Sequence, residues 1–348
     1  MKKAVISGYY GFENFGDEIS LQVIVNALKE SGVNITVLSS NPELTSSENG
    51  VSSFYTFSIF DIIKQIFVSD VLISGGGSLL QDKTSAKSFI YYVFVIFVAK
   101  VLGKKVVIFS QGLTPMRYRL LERVLAFVLQ NADYVSLRDL ESQEYAQKLG
   151  IKAKTYSDCV WALDKVNIIK RDKLVVQLRE WDKLTDEKLE VLASVVANKY
   201  RNIPIEVLSL HDEKDFLVCS KFHDLIKTKV MKVDLVYGLS PREVIETIAS
   251  ARCLIAMRYH ACLVGIKQHL HILALSYDQK VTNLSKKFNL PYLYVDETID
   301  LFEMELKKNI EKFEDFSPEI DTTRAEEQLA KRSLDNLVRK INNMEVTE

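Results

Sequence analysis

Cysteine is scarce. Cys159, Cys219, Cys253 and Cys262 are the only four in 348 residues, and no two are spaced as C-x-x-C. That argues against a zinc ribbon or a disulfide scaffold and predicts buried thiols in a reducing compartment. A charge excess of one sign is lacking too. The formal net charge is −1 with 26% charged residues, so no nucleic-acid partner is expected. The most membrane-like run, Phe89 to Ala99, falls short of the roughly 20 residues that a span needs. Lys100, Gly103, Lys104 and Lys105 then break it, which predicts a buried helix followed by a buried strand. The start, MKKAVISGYYG, has a basic tip but too few apolar residues before its glycines for a secretory leader, so a cytoplasmic protein is expected. H-E-x-x-H or H-x-x-E metal spacing, a G-x-S-x-G nucleophile turn and a G-x-x-x-x-G-K-[ST] loop are all missing, and no metal is expected.

What the chain does have is alternation. Its length suggests two domains, since single cores stop growing at about 250–300 residues. AVISG, NITVLSS, DVLISGGG, KVVIFSQG and YVSLRD read as strands, each separated from the next by helical patterns. The pattern lapses over 162–173 and resumes with LVVQLREW, IPIEVLSL, MKVDLVYG, CLIAMRYH and HILALSYD. The expected fold is α/β: two doubly wound Rossmann-like domains, 1–165 and 172–315, whose strand ends face a cleft. The amphipathic stretch 322–344 reads as a last helix, able to pack back on the first domain.

Five clusters fall at predicted strand ends. The opening turn, GYYGFENFGDE, crowds Asn14, Asp17 and Glu18 among glycines. SGGGSLLQD sets Gly75, Gly76 and Gly77 in a row, so backbone N–H groups can approach a ligand, and a helix start is expected to follow. A tight turn needing positive φ explains the same glycines equally well. Arg138 in SLRD either binds an oxyanion or pairs with Asp139. Arg179 ends a strand beside Trp181. Arg258 and His260, in MRYHACLVG, are expected at i and i+2 of a strand and so on one face. Arginine offers a planar fork for carboxylate or phosphate, and histidine exchanges a proton near neutral pH. Together these residues suit a small substrate with two or more negative charges.

GYYGFENFGDEISL, SGGGSLLQD, SQGLTP, LRDLES, SDCVWAL, QLREW, MRYHACLVGI and LSYDQKVTNL, in that order, resemble the polysaccharide pyruvyl transferase family over about residues 4–295. The resemblance implies a two-lobed, glycosyltransferase-B-like enzyme of cell-wall or exopolysaccharide synthesis. Such an enzyme moves the pyruvyl unit of phosphoenolpyruvate onto a sugar, usually as a ketal, and releases phosphate. It implies no cofactor beyond that donor. It implicates Arg258 and His260 in donor binding and proton transfer, and Asp17, with Gly16 and Glu18, on the acceptor side. Arg138 and Arg179 become anion contacts, and Gly75, Gly76 and Gly77 help fix the bound ligands. His260 as acid and Asp17 as base can be exchanged without contradiction. Two departures stand out: Tyr259 where leucine is frequent, and Glu180 where proline is frequent, the latter able to pair with Arg179.

Two other readings compete. A glycosyltransferase of the same architecture would use these arginines on the diphosphate of a nucleotide sugar, and an idle scaffold would have no need of Asp17, Arg258 and His260 together. The acceptor implied is a saccharide, polymeric or lipid-linked. Residues 100–125 hold six basic residues, Lys100, Lys104, Lys105, Arg117, Arg119 and Arg123, against Glu122. A solvated helix and loop accounts for them, and peripheral contact with an anionic inner-membrane face is the alternative.

Overall fold

The computed structural model describes residues 1–83, 85–211 and 214–344. The chain forms two compact units: Met1–Leu163 together with the chain from Ala325 onward, and Asp164–Arg324.

The first unit alternates β1 (Lys3–Ser7), α1 (Phe15–Glu30), β2 (Asn34–Ser39), α2 (Pro42–Asn49), β3 (Ser52–Tyr55), α3 (Ile59–Phe67) and β4 (Val71–Gly75). It continues with α4 (Ala86–Val101), β5 (Lys105–Gln111), α5 (Arg119–Gln130), β6 (Tyr134–Leu137), α6 (Leu140–Lys148) and β7 (Lys154–Thr155). The seven strands are parallel in the order β3-β2-β1-β4-β5-β6-β7. All five residues of β4 are buried, as the continuous apolar character of a strand covered on both faces requires. The chain leaves β1 towards β2 and β3, then returns to β4 on the other side of β1. Right-handed crossovers therefore put α1 and α2 on one face and α3 to α6 on the other.

The second unit runs β8 (Leu174–Gln177), α7 (Asp186–Tyr200), β9 (Ile205–Leu208), α8 (Phe216–Ile226), β10 (Val233–Val236) and α9 (Pro241–Ala249). Then come β11 (Cys253–Ala256), α10 (Tyr259–Lys267), β12 (His271–Ser276), α11 (Gln279–Lys287), β13 (Tyr292–Tyr294) and α12 (Ile299–Lys312). Its six parallel strands follow the order β10-β9-β8-β11-β12-β13, so direction reverses between β8 and β11. Leu189, Leu192, Phe222 and Phe302 pack with the strand residues Val176, Val207 and Ile255 into its core.

The last helix, α13 (Ile320–Asn343), belongs to the first unit from Ala325 on. Ala330, Leu334, Leu337 and Ile341 recur at helical spacing and are all buried. Asn336 Nδ2 donates to the Tyr156 hydroxyl at 3.1 Å, and Lys2 Nζ donates to the Met344 carbonyl at 2.5 Å.

One expectation needs correction. The run Phe89–Ala99 is not a buried helix. In α4, Phe89, Tyr92, Val95, Ile96 and Ala99 face the core, while Phe97 stays 62% exposed and Val101 67%. A helix in the outer layer of a three-layer unit has only one face to bury, so an apolar sequence there leaves an apolar surface. Among the described residues, no helix is long and apolar enough to cross a membrane.

Candidate functional site

In each unit the candidate residues gather where strand order reverses, which is where open α/β sheets bind ligands. In the first unit that place is the C-terminal end of β1 and β4. Asp17 and Glu18 lie in the first turn of α1 rather than in the loop before it. At that position Asp17 meets the positive end of the helix. Asn14, the residue before the helix, donates from Nδ2 to Asp17 Oδ2. Glu18 turns inward, and its Oε1 accepts the Gly11 N–H at 2.8 Å. Burial pushes the Glu18 carboxyl from the ordinary 4.5 to about 8, against the pull of that N–H, with Asp17 and Glu48 adding to the rise.

The glycine turn meets the acidic turn directly. The buried Tyr10 hydroxyl donates to the Gly75 carbonyl. Gly76 and Gly77 take φ of +77° and +75°. A Cβ on Gly77 would lie 2.5 Å from Asp17 Oδ1, so the turn needs glycine both for its backbone and for the approach of that carboxylate. The expected helix start does not follow these glycines, because α4 begins only at Ala86. The Gly77 carbonyl instead accepts the Gly112 N–H at 2.8 Å and Gln111 Nε2 at 3.1 Å, which ties the turn to the end of β5.

Arg138, just past β6, is buried against Gly112. Its Nη1 pairs with Asp158 Oδ2 at 3.1 Å, its Nη2 donates to Ser78 Oγ at 3.2 Å, and its Nε lies 3.5 Å from Asp139 Oδ2. Asp139 mainly caps α6, its Oδ1 accepting the Ser142 N–H at 2.8 Å. The first unit thus joins Asn14, Asp17, Gly77, Ser78 and Arg138 into one edge, with Asp158 as the main carboxylate for Arg138.

In the second unit, Arg179 leaves β8, Arg258 leaves β11 and Tyr277 leaves β12. Arg258 and His260 do not share a strand face as expected: β11 ends at Ala256, Arg258 is the residue before α10, and His260 is the second residue of that helix. The Arg258 backbone N–H donates to Gln177 Oε1 at 2.8 Å. Its guanidinium grips Asp215 bidentately, Nε to Oδ2 at 2.5 Å and Nη2 to Oδ1 at 2.6 Å, with Asp215 completely buried. The His260 ring stands edge-on to Tyr259, centroids 5.0 Å apart.

Arg179 is held differently. Its Nη1 donates to the Tyr277 hydroxyl at 2.7 Å, and its guanidinium carbon lies 4.5 Å from the Tyr277 ring centroid and 6.0 Å from that of Trp181. Among the described residues it forms no ion pair, Glu180 included, and its buried Nε has no hydrogen-bond partner. Burial pushes the Tyr277 hydroxyl up, and the charges of Arg179 and Arg258 both pull it back, so both guanidinia act on that phenol.

Asp158, Asp215, Gln177 and Tyr277 escape sequence reasoning, although Asp158, Gln177 and Tyr277 sit inside the motifs quoted above. A search of every residue just past a strand on either side of the reversal would reach Tyr277. Asp215 lies beyond such a search, in the run before α8, where only its pairing with Arg258 marks it. All four cysteines are buried and free, and burial pushes the thiols of Cys159, Cys219, Cys253 and Cys262 up to about 12, which leaves none a thiolate at neutral pH. Among the described residues, no group of three or more His, Cys, Asp or Glu could hold a metal ion.

Two parallel-sheet α/β units of this topology give the chain a glycosyltransferase-B-like fold. The family model for polysaccharide pyruvyl transferase matches residues 14–279, and the chain belongs to that family. No curated protein matches the chain. Among solved structures it is similar to the UDP-GlcNAc 2-epimerase of Methanocaldococcus jannaschii, with TM-score 0.66, 13% identity and coverage of 97% of this chain and 100% of that one. It is similar also to the Neisseria meningitidis UDP-GlcNAc 2-epimerase bound to UDP-GlcNAc, with TM-score 0.62, 11% identity and coverage of 97% and 100%. Anabaena HepE in complex with UDP-glucose gives TM-score 0.60, 10% identity and coverage of 98% of both chains. At these identities the likeness establishes the fold alone.

Proposed function

We propose that the protein transfers the pyruvyl group of phosphoenolpyruvate to a sugar acceptor, polymeric or lipid-linked, and releases phosphate. Arg179 carries this reading. Its guanidinium lies against Tyr277 without a carboxylate, and its buried Nε is unmatched among the described residues. A buried donor left unmatched costs about 1–3 kcal/mol, which an anionic oxygen would recover. The N-terminal end of α10 adds positive potential at the same edge, beside Arg258, whose charge Asp215 balances. Phosphoenolpyruvate carries both a carboxylate and a phosphate, so it needs more than one cation.

The chemistry starts with a proton delivered to the methylene carbon of phosphoenolpyruvate, which becomes a methyl. Positive charge builds on the carbon bearing phosphate, a sugar hydroxyl attacks it and gives up its proton to a base, phosphate leaves, and a second hydroxyl closes the ketal, its proton passing to the departing phosphate. His260 is the proposed acid and Asp17 the proposed base, and the assignment can be reversed. Arg258 is held in place by Asp215, and with Arg179 it would steady the phosphate as its charge grows.

Solved neighbours carrying UDP-GlcNAc or UDP-glucose favour one alternative, a nucleotide-sugar enzyme whose diphosphate meets the same arginines. Thermal denaturation separates the two. A ligand at 100 times its dissociation constant stabilises the fold by about 2.7 kcal/mol. The expected outcome is stabilisation by phosphoenolpyruvate, lost in Arg179→Ala, and no response to UDP-sugars. A response to UDP-sugars alone would overturn the pyruvyl reading.

A further inference from the structure

The outer surface of α3, α4 and α5 is apolar where a solvated layer would be polar. These helices lie on one face of the first unit's sheet, α3 against α4 and α4 against α5. Each buries one side in the core through residues such as Ile66, Val95 and Leu125. Each also exposes large apolar groups on the other: Phe60 and Phe67 at 74% and 64%, Phe97 and Val101 at 62% and 67%, Leu120 and Phe127 at 70% and 65%. Phe60 and Phe67 are two turns apart on α3, as Leu120 and Phe127 are on α5, so the exposure forms stripes rather than scattered points.

Basic residues accompany the stripes. Lys64 and Arg123 lie within them, Arg119 is one turn before Arg123, and Lys104 Nζ lies 5.7 Å from the Phe67 ring centroid. Lys64, Lys104, Arg119 and Arg123 form no ion pair among the described residues. Lys100 and Lys105, by contrast, are tied to Asp133 at 2.6 and 3.5 Å. The nearest acid on α5, Glu122, already accepts from the Tyr145 hydroxyl at 2.7 Å, and α4 has no acidic residue. The basic groups that matter are therefore only partly those of residues 100–125, and the surface extends back to α3.

We propose that this face docks on an anionic lipid bilayer, with the phenylalanines seated at the headgroup level and the four cations against lipid phosphates. Charge decides between a bilayer and a second copy of the chain. A two-fold dimer would press Lys64, Lys104, Arg119 and Arg123 against their own copies, and on these three helices only Asp61 of α3, against four cations, is left to meet them among the described residues. An anionic bilayer satisfies the apolar stripes and the cations together. The inference holds whichever reaction the protein performs.

The test is flotation of the full chain with vesicles of phosphatidylcholine, with or without phosphatidylglycerol, at low and high salt. The expected result is capture by the anionic vesicles that weakens as salt rises. Arg119→Glu with Arg123→Glu should weaken capture by about 10-fold or more, at roughly 1 kcal/mol per basic residue. Phe60→Ser with Phe97→Ser should weaken it too, and these exposed positions should leave the melting temperature unchanged. Two results would overturn the proposal: no capture by anionic vesicles at low salt, or a dimer in sedimentation equilibrium that the Phe60→Ser, Phe97→Ser variant dissolves.

Discussion

Arg258 and Arg179 emerge from adjacent strands into opposite situations. Arg258 grips a fully buried aspartate, and Arg179 rests on aromatic rings with no acid. A guanidinium already paired is a fixed part of the wall, and one without a carboxylate can still take an anion. The proton-transfer step should then depend on a group apart from binding. His260→Ala is expected to retain stabilisation by phosphoenolpyruvate and to lose turnover by about 10²-fold or more, read as phosphate release. Wild-type turnover in that variant would remove His260 from the reaction. Glu18 gives a prediction of pH dependence. Its carboxyl, raised to about 8 mainly by burial, keeps its proton in the folded chain at pH values where the unfolded chain has lost it. The folded state then binds more protons, so stability falls as pH climbs from the ordinary 4.5 towards 8. Glu18→Gln keeps the acceptor for Gly11 and removes that slope. Its melting temperature should gain on wild type steadily between pH 5 and pH 8, and a constant difference would mean that Glu18 titrates normally. At this scale the arginines, the histidine and the acidic turn are legible in the sequence because polar groups after apolar strands are conspicuous. Asp215 is not, since nothing about an aspartate in a polar run says that it will be buried under an arginine.

Elements are legible to the extent that their cores are. β1, β4, β8 and β11 are near-continuous apolar runs, as strands covered on both faces must be, and the pattern finds them. Residues 41–67 hide α2, β3 and α3. The first is a polar octamer, PELTSSEN, with only Thr45 and Asn49 buried, and the second is SSFY at the edge of the sheet, with no fully buried residue. Such elements exist because of the neighbours they pack on, which a local pattern cannot reveal. The glycine turn is a sharper case. Its pattern allows either a ligand cradle or a strained turn, and the positive φ of Gly76 and Gly77 shows that the backbone requirement is real. Gly77→Ala should cost about 1–3 kcal/mol for its backbone alone. It should also displace Asp17, whose Oδ1 stands 2.5 Å from where the new Cβ would be. Activity should therefore fall further than the loss in melting temperature accounts for, and a stable, fully active Gly77→Ala protein would take Asp17 out of the chemistry.

For the whole molecule, α13 is the test of how the units are completed. Ala330, Leu334, Leu337 and Ile341 are buried in the first unit, so a chain ending at Arg324 would leave their partners uncovered. Calorimetry of that truncated chain should show one unfolding transition lowered, that of the first unit, with the second unit's little changed. Equal lowering of both would mean that the units do not unfold independently. Two α/β units are legible in the sequence because the alternation of strand and helix lapses once and then resumes. That the last helix belongs to the first unit follows from which apolar surface it covers, and its amphipathic pattern alone could not say.

That arrangement has a consequence for the order in which the protein comes into being. Leu163 and Ala325 lie in the same unit, with all of the second unit between them. A ribosome adding about 5–20 residues per second takes roughly 8–30 s to cross that interval. The half made first is finished last: it waits, incomplete, while the half made second can close on its own strands. During that wait the surface destined for α13 is open to the cell, and the apolar stripes of α3, α4 and α5 are open as well, so the nascent chain is a natural client for a chaperone.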